Sequence, residues 1–411
     1  MTTAKPVVAT QTTSSSESVL TVMHAFNKGR IIIPSYQRDS EQWDLIKQSI
    51  FIESLLNNLT VPALFLAPTQ RNDEEFDELV DGQQRISTIL SYAKGELKLA
   101  SSEDAPYLNE NSVYYAEKYI ESLPERFRGI FEDYKLTMIR LPYNLPESIR
   151  LEIFRRINEG GMPLSGQDLR LAYYQCGIID YIRLAGIYDP ERSGAKRMLA
   201  HANKEYGLQW PWKTMDDSTQ KEWREWWQGK KITVGQTASE MFLWYLIARY
   251  HTRIDTLLGD KNYLASQLHT TFSNRVEEVA DIVCSQLRLD EEQYETHPKL
   301  CNLETLQNQI FPEFAQNFHS LRIHIPSCAT SVDKYRRIAI ILAGLSGWSL
   351  DAFNDRQWSY LTQFLKKPRQ LTTQNDIEFP ETKGRWTGPK GQFSQIASYY
   401  KVAQMIARDE L

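Results

Sequence analysis

One stretch, Val80-Asp81-Gly82-Gln83-Gln84-Arg85, constrains the fold more than any other. The residues before it, Phe76 to Val80, read as a short strand. Those after it place Ile86, Ile89, Leu90 and Ala93 on one face of an amphipathic helix. Asp81-Gly82 is therefore expected to be a strand-to-helix corner, with Gly82 in a backbone conformation closed to other residues. The first turn of the helix would carry Gln83, Gln84 and Arg85, with Ser87 and Thr88 just behind. A helix start presents unpaired N–H groups at the positive end of the dipole, so it attracts anions. An arginine there adds a planar fork suited to phosphate oxygens. The plainer reading is a capped helix in which Arg85 pairs with Asp81.

A chain of 411 residues is long enough for two or three domains with sizeable cores. The formal net charge of −5 means that no overall field draws the protein to nucleic acid, so any such contact must come from a local basic patch. Cys176, Cys284, Cys301 and Cys328 are scattered, without paired ligand spacing, which points to reduced thiols rather than structural zinc. No apolar run approaches the roughly 20 residues of a membrane span. Met1 to Ser18 is rich in Thr and Ser and lacks the apolar core of a signal peptide, so it reads as a disordered lead-in to a cytoplasmic protein.

Taken in order, residues 19–180 mix short strands with helices. Ser18 to Phe26 forms a helix closed by Gly29, and Arg30 to Ile33 a strand stopped by Pro34. A polar loop with Tyr36, Gln37 and Arg38 follows, placed at a strand end, where α/β folds commonly hold ligands. In the next helix Trp43, Ile46, Ile50 and Phe51 are expected on the buried face. Val61 to Leu66 and Leu136 to Leu141 read as further strands, Asn72 to Glu75 as a solvated loop, and Tyr115 to Phe131 as a helix interrupted near Pro124. A helix opening at Pro146 buries Ile149, Ile153 and Ile157, leaves Arg150, Arg155 and Arg156 outside, and ends at Asn158 before Gly160-Gly161. That helix end offers phosphate or nucleic-acid contacts, or is an ordinary helical hairpin with a charged outer face.

From about 181 to 365 helical patterns dominate and tryptophans cluster. Trp210, Trp212, Trp223, Trp226, Trp227 and Trp244 read as core packing, with an aromatic surface for nucleobases as the sharper alternative. Residues 366–411 form a basic tail or helical extension, in which Lys366, Lys367 and Arg369 are candidate nucleic-acid contacts beside Arg155, Arg156 and Asn158.

Ile33-Pro34-Ser35-Tyr36-Gln37-Arg38, Asp81-Gly82-Gln83-Gln84-Arg85 and Phe154-Arg155-Arg156-Ile157-Asn158-Glu159-Gly160-Gly161 together resemble, in identity, order and spacing, the ParB/sulfiredoxin-like domain of GmrSD-type modification-dependent restriction systems. The resemblance covers about residues 20–180. It implies an α+β fold: a ParB/sulfiredoxin-like N-terminal domain of short strands and helices, followed here by a mostly α-helical C-terminal domain. It also implies a nucleotide-binding domain, often an NTPase, serving anti-phage defence against modified DNA. On that reading Gly82, Gln83, Gln84, Arg85 and Thr88 hold phosphates together with Arg38, while Tyr36 and Gln37 pack on base or sugar. Asp81 would hold Mg²⁺ or orient water, and Asp81, Gln84 and Arg85 would carry catalysis. The expected partners are a nucleoside triphosphate, DNA, and a separate nuclease or defence protein, with oligomerisation left open and no membrane. Two alternatives remain: a non-catalytic nucleotide- or DNA-sensing switch, and a DNA-nicking nuclease of ParB-like type. His297, His319 and His324 lack the pattern of an HNH nuclease, which relatives often append.

Overall fold

A computed structural model describes residues 12–34, 43–71, 74–108, 110–143, 174–228, 237–254, 278–292, 300–325, 335–368 and 388–411, with positions 145, 153, 156, 157, 167, 170, 171, 370, 371 and 375. The protein is mixed α+β and divides into two units, Met1–Pro163 and Leu164–Leu411.

In the first unit β1 (Thr13–Ser18) leads into α1 (Val19–Asn27), whose N-cap Ser18 accepts from the Thr21 N–H. Gly29, at φ +69°, closes α1 and turns the chain into β2 (Ile31–Ile32). Then come α2 (Leu45–Leu56), β3 (Leu64–Arg71), β4 (Glu74–Asp81) and α3 (Gln83–Ala93). A single turn α4 (Ser112–Tyr115), then α5 (Glu125–Asp133) and β5 (Lys135–Arg140), complete the unit. The five strands form one sheet in the order β1-β5-β3-β4-β2. β2 runs parallel to β4, pairing Ile31 with Asp77 and Ile32 with Glu78. β3 is antiparallel to β4, with Phe65 opposite Asp81, and parallel to β5.

Leu64, Leu66, Leu79, Leu136 and Met138 line one face of the sheet and meet Val22, Phe51, Ile52, Leu55, Ile86 and Ile89 in a continuous apolar core. A sheet face of alternating apolar residues closed over by amphipathic helices is what period-two strands and period-3.6 helices bury together. At its edge the same face turns polar. Arg140 on β5 donates from Nε to Asp77 Oδ2 on β4 (2.9 Å) and from Nη2 to Glu17 Oε1 on β1 (2.9 Å), and Nη1 donates to Ser15 Oγ (2.8 Å). Burial alone would lower the Arg140 pKa, but Asp77 and Glu17 outweigh it and hold the guanidinium charged.

A polar stripe on α2 fixes the irregular segment before α4. Ser49 Oγ accepts from the Ala100 N–H (2.8 Å), and fully buried Glu53 accepts from the Leu108 N–H (2.7 Å) and Tyr115 hydroxyl (2.9 Å).

The second unit is helical: α6 (Gly177–Ala185), α7 (Ser193–Tyr206), α8 (Asp217–Trp227), α9 (Thr237–Arg249), α10 (Glu278–Glu292), α11 (Phe311–His324), α12 (Tyr335–Gly344), α13 (Asp355–Lys366) and α14 (Gly388–Ala407). Every residue of α9 from Ala238 to Ala248 is buried, so this helix, apolar all round, is the axis of the unit. It packs on α6 and α12, and α12 packs on α14. Gly344 makes the last contact possible, because a Cβ there would lie 2.7 Å from both Ala403 Cβ and Tyr400 O. Glu240, the one carboxylate on buried α9, accepts from Trp244 Nε1 (3.0 Å) and pairs with Arg336 and Arg170. The α6 N-terminus is closed by Glu291, whose two carboxylate oxygens accept from Gly177 N and Ile178 N at 2.8 Å each.

Several sequence expectations are corrected. Thr13–Ser18, read as disordered lead-in, is a paired strand, because its Ser and Glu side chains answer Arg140. The α2 face buries Phe51, Ile52, Leu55 and Leu56 and leaves Ile46 exposed, one step round from the expected stripe. Glu74 and Glu75 belong to β4 rather than to a loop. Tyr115 to Phe131 is not one interrupted helix: it breaks into the end of α4, a 3-10 turn at Ile120–Ser122 and α5. The division between units falls at 163/164 rather than 180, since Leu171 and Tyr174 belong to the helical core. Of the two readings of the C-terminal stretch, the helical extension is the one found over 388–407, where α14 buries Ile396, Val402, Ala403 and Ile406 in that core. The leading reading of the tryptophans holds, by contrast: Trp212, Trp223, Trp226, Trp227 and Trp244 are core residues, Trp212 stacking on Trp223 at 4.4 Å, and the alternative of a surface for bases is not realised by them.

Arg140→Met is expected to lower stability by about 1–3 kcal/mol, as one cation leaves two carboxylates unanswered. Urea unfolding followed by circular dichroism checks this, and an unchanged midpoint would mean the cluster contributes nothing.

A candidate anion-binding corner

The corner is built as its sequence dictates. Gly82 is the N-cap of α3 at φ +108°, a conformation that L side chains rarely adopt. Space forbids a side chain as well, since a Cβ on Gly82 would sit 2.3 Å from Leu64 Cδ2. Having no side chain, Gly82 makes no side-chain cap bond to the first turn of α3.

Arg85 reaches back across the corner. Its Nη2 donates to Asp81 Oδ2 in a close ion pair, and its Nη1 donates to the Ala63 carbonyl at 2.9 Å, just ahead of β3. Arg85 is buried, 8% exposed, and it ties the end of β4 to the start of β3. The plainer sequence reading of the pair is thus realised, and the guanidinium has a structural duty whatever else it does. Thr88 is also engaged: it is 1% exposed and its hydroxyl donates to the Gln84 carbonyl at 2.8 Å. Gln83 is buried at 7%, whereas Gln84 is half-buried.

The decisive geometry involves β2. Because β2 and β4 are parallel neighbours, the chain leaves both at the same edge of the sheet. The segment leaving β2 begins at Ile33-Pro34 and continues into the stretch holding Tyr36, Gln37 and Arg38; the one leaving β4 is the Asp81-Gly82 corner. Gln84 Oε1 accepts from the Trp43 N–H (3.3 Å), where the first segment rejoins described structure ahead of α2. The approach to α2 at Trp43 is thereby tied to the first turn of α3. The link through Trp43 was not legible in the sequence, since the amide donor belongs to the backbone.

Tyr36, Gln37, Arg38, Arg155, Asn158, Arg369 and His297 lie outside the described residues. Arg156 is exposed. Lys366 and Lys367 line a cleft of about 450 Å³ at the end of α13, with Trp358, Thr362 and Gln363. His324 stacks flat on Trp358 at 4.1 Å, an engagement the sequence did not reveal. Among the described residues no group of three or more His, Cys, Asp or Glu is placed to hold a metal ion by itself, and no helix is long and apolar enough to cross a membrane.

The fold and corner define a small α+β domain in which β2 and β4 are adjacent parallel strands and β4 turns through Gly82 into α3. Residues 22–175 match the family described as the N-terminal domain of the GmrSD restriction endonuclease, and the chain accordingly carries a GmrSD-type N-terminal domain. Comparison with curated proteins and with solved structures gave no match.

Gly82→Ala is expected to destabilise the first unit by at least about 2 kcal/mol, from backbone strain together with the clash against Leu64. Arg85→Ala should cost about 3–5 kcal/mol, the range for breaking a buried pair, discounted toward the lower end because Asp81 keeps some solvent access. Denaturant midpoints read both, and an Arg85→Ala protein as stable as the parent would deny the latch.

Proposed function

We propose that this protein is the nucleotide-binding component of a restriction system, and that it hydrolyses nucleoside triphosphates at the corner between β4 and α3. The observation that carries the reading is the shared exit of β2 and β4, fastened by the Gln84–Trp43 hydrogen bond. A phosphate chain laid against the α3 start would lie beside Gln83 and Gln84, and the reading assigns Tyr36, Gln37 and Arg38 to the same nucleotide. Phosphoryl transfer asks little more of a protein than placement and charge stabilisation. Gln84, already oriented by Trp43, would hold the attacking water, and Arg38 would neutralise phosphate charge.

Asp81 fits a magnesium role in part: Oδ2 is held by Arg85, which leaves Oδ1 as a ligand of the kind Mg²⁺ uses alongside substrate phosphates and water. When bound, the ion would supply charge neutralisation at the phosphate oxygens. The restriction family also supports DNA as the wider target, with Arg155, Arg156, Asn158, Lys366, Lys367 and Arg369 as proposed contacts. The cutting step is assigned to a separate partner.

A second reading is a switch without turnover. The Arg85–Asp81 pair favours it, because an incoming phosphate would compete with Asp81 for the same guanidinium and loosen the tie between β3 and β4. Phosphate release with ATP, GTP, CTP and UTP in Mg²⁺ separates the two. Hydrolysis should appear with at least one nucleotide and fall about 100-fold or more in Gln84→Ala, in line with losing a group that positions the nucleophile. Binding without release would favour the switch, and absence of both would overturn the site.

A further inference from the structure

The cleft of about 450 Å³ on α13 belongs to the second unit and shares no residue with the corner. Its lining runs along the helix in pairs: Trp358 and Ser359, Thr362 and Gln363, then Lys366 and Lys367. Steps of four residues put these pairs on one side of a helix, over successive turns. Among the described residues the lining holds no carboxylate. Lysines in the last turn of a helix answer its dipole in any case. A dipole does not ask for an aromatic ring two turns back, and that ring sets this cleft apart.

Trp358 is held in place. His324 from α11 stacks on it at 4.1 Å with the planes 10° apart, and Phe353 leans against it at 5.6 Å. His324 is itself fixed: its Nδ1 meets the Ser320 carbonyl at 2.9 Å, and since a carbonyl only accepts, Nδ1 carries the hydrogen. Trp358 stays half-buried, unlike the tryptophans of the core, and lines the cleft with the surface that these two neighbours leave. Thr362 Oγ1 donates to the Trp358 carbonyl at 2.7 Å, so toward a ligand this hydroxyl can only accept. Ser359, Lys366 and Lys367 are exposed.

We propose that this cleft takes one unpaired nucleotide of single-stranded DNA, its base against Trp358 and its phosphates at Lys366 and Lys367. The proposal rests on DNA as the wider target of the restriction family. From Trp358 to Lys366 the helix rises about 12 Å, and side chains lean toward the N-terminus of their helix, so both lysines reach back along the cleft. Two ammonium groups with no carboxylate beside them in the described lining attract a phosphate backbone and repel a basic peptide. A duplex keeps its base faces stacked, out of reach of an indole, whereas an unpaired base offers its face whatever its identity.

Fluorescence anisotropy of a fluorescein-labelled oligothymidylate with the full chain tests this, beside an equally long strand of abasic sugars and an equally long duplex. The oligothymidylate should bind about 10-fold tighter than the abasic strand, which has the same charge and no bases. Trp358→Ala should abolish that preference and leave the abasic strand bound as before. Lys366→Gln combined with Lys367→Gln should weaken both strands and lower the salt slope by about 0.7 for each lysine. Where Trp358→Ala disturbs the fold, Ser359→Glu decides in its place: it sets a carboxylate in the cleft from an exposed position and should weaken the oligothymidylate about 10-fold. Equal affinity for the two strands, or oligothymidylate binding unchanged in Trp358→Ala or Ser359→Glu, would overturn the cleft. Duplex binding retained alongside either result would leave the DNA reading standing, while no binding of any of the three would overturn both.

Discussion

The first unit depends on a corner that has no room for a side chain. Gly82 meets Leu64 where a Cβ would be, and its left-handed backbone sends α3 back over the sheet. That return lets Arg85 span from Asp81 at the end of β4 to the Ala63 carbonyl at the start of β3. One guanidinium thereby fixes the antiparallel pair at the edge from which both motifs leave. The core behind it, with Leu64, Leu66, Leu79, Ile86 and Ile89, is packed by the same geometry.

This arrangement changes how the arginine should be understood. An Arg in the first turn of a helix suggests a phosphate ligand, and the charge-assisted fork would suit one. Here the fork is already filled by a carboxylate and a carbonyl, so phosphate contact at Arg85 requires exchange rather than simple addition. Arg85 is thus chiefly what keeps the start of α3 in place against β3 and β4.

Much of the fold could be read from the chain. The strands around Ile31, Leu66, Phe76 and Met138, the Asp81-Gly82 corner, and the helix carrying Ile86 and Ile89 all follow from local periodicity and one glycine. What could not be read is long-range. Thr13–Ser18 has the composition of a disordered lead and becomes a strand only because Arg140, more than a hundred residues away, gathers Ser15 and Glu17. The separation of units at 163/164 depends on Leu171 and Tyr174 choosing the helical core, a preference of packing rather than of pattern. Gln84 stood out in the sequence as a candidate, but its tie to the Trp43 backbone did not, because main-chain donors leave no trace in a sequence.

Hydrogen exchange measured by mass spectrometry, with and without nucleoside triphosphate and Mg²⁺, tests the central claim most directly. If the corner and the loop after β2 form one nucleotide site, peptides covering residues 33–43 and those covering 83–86 gain protection together, at the same nucleotide concentration. Protection confined to one of the two, or appearing only in the helical unit, would contradict a site built from their shared edge.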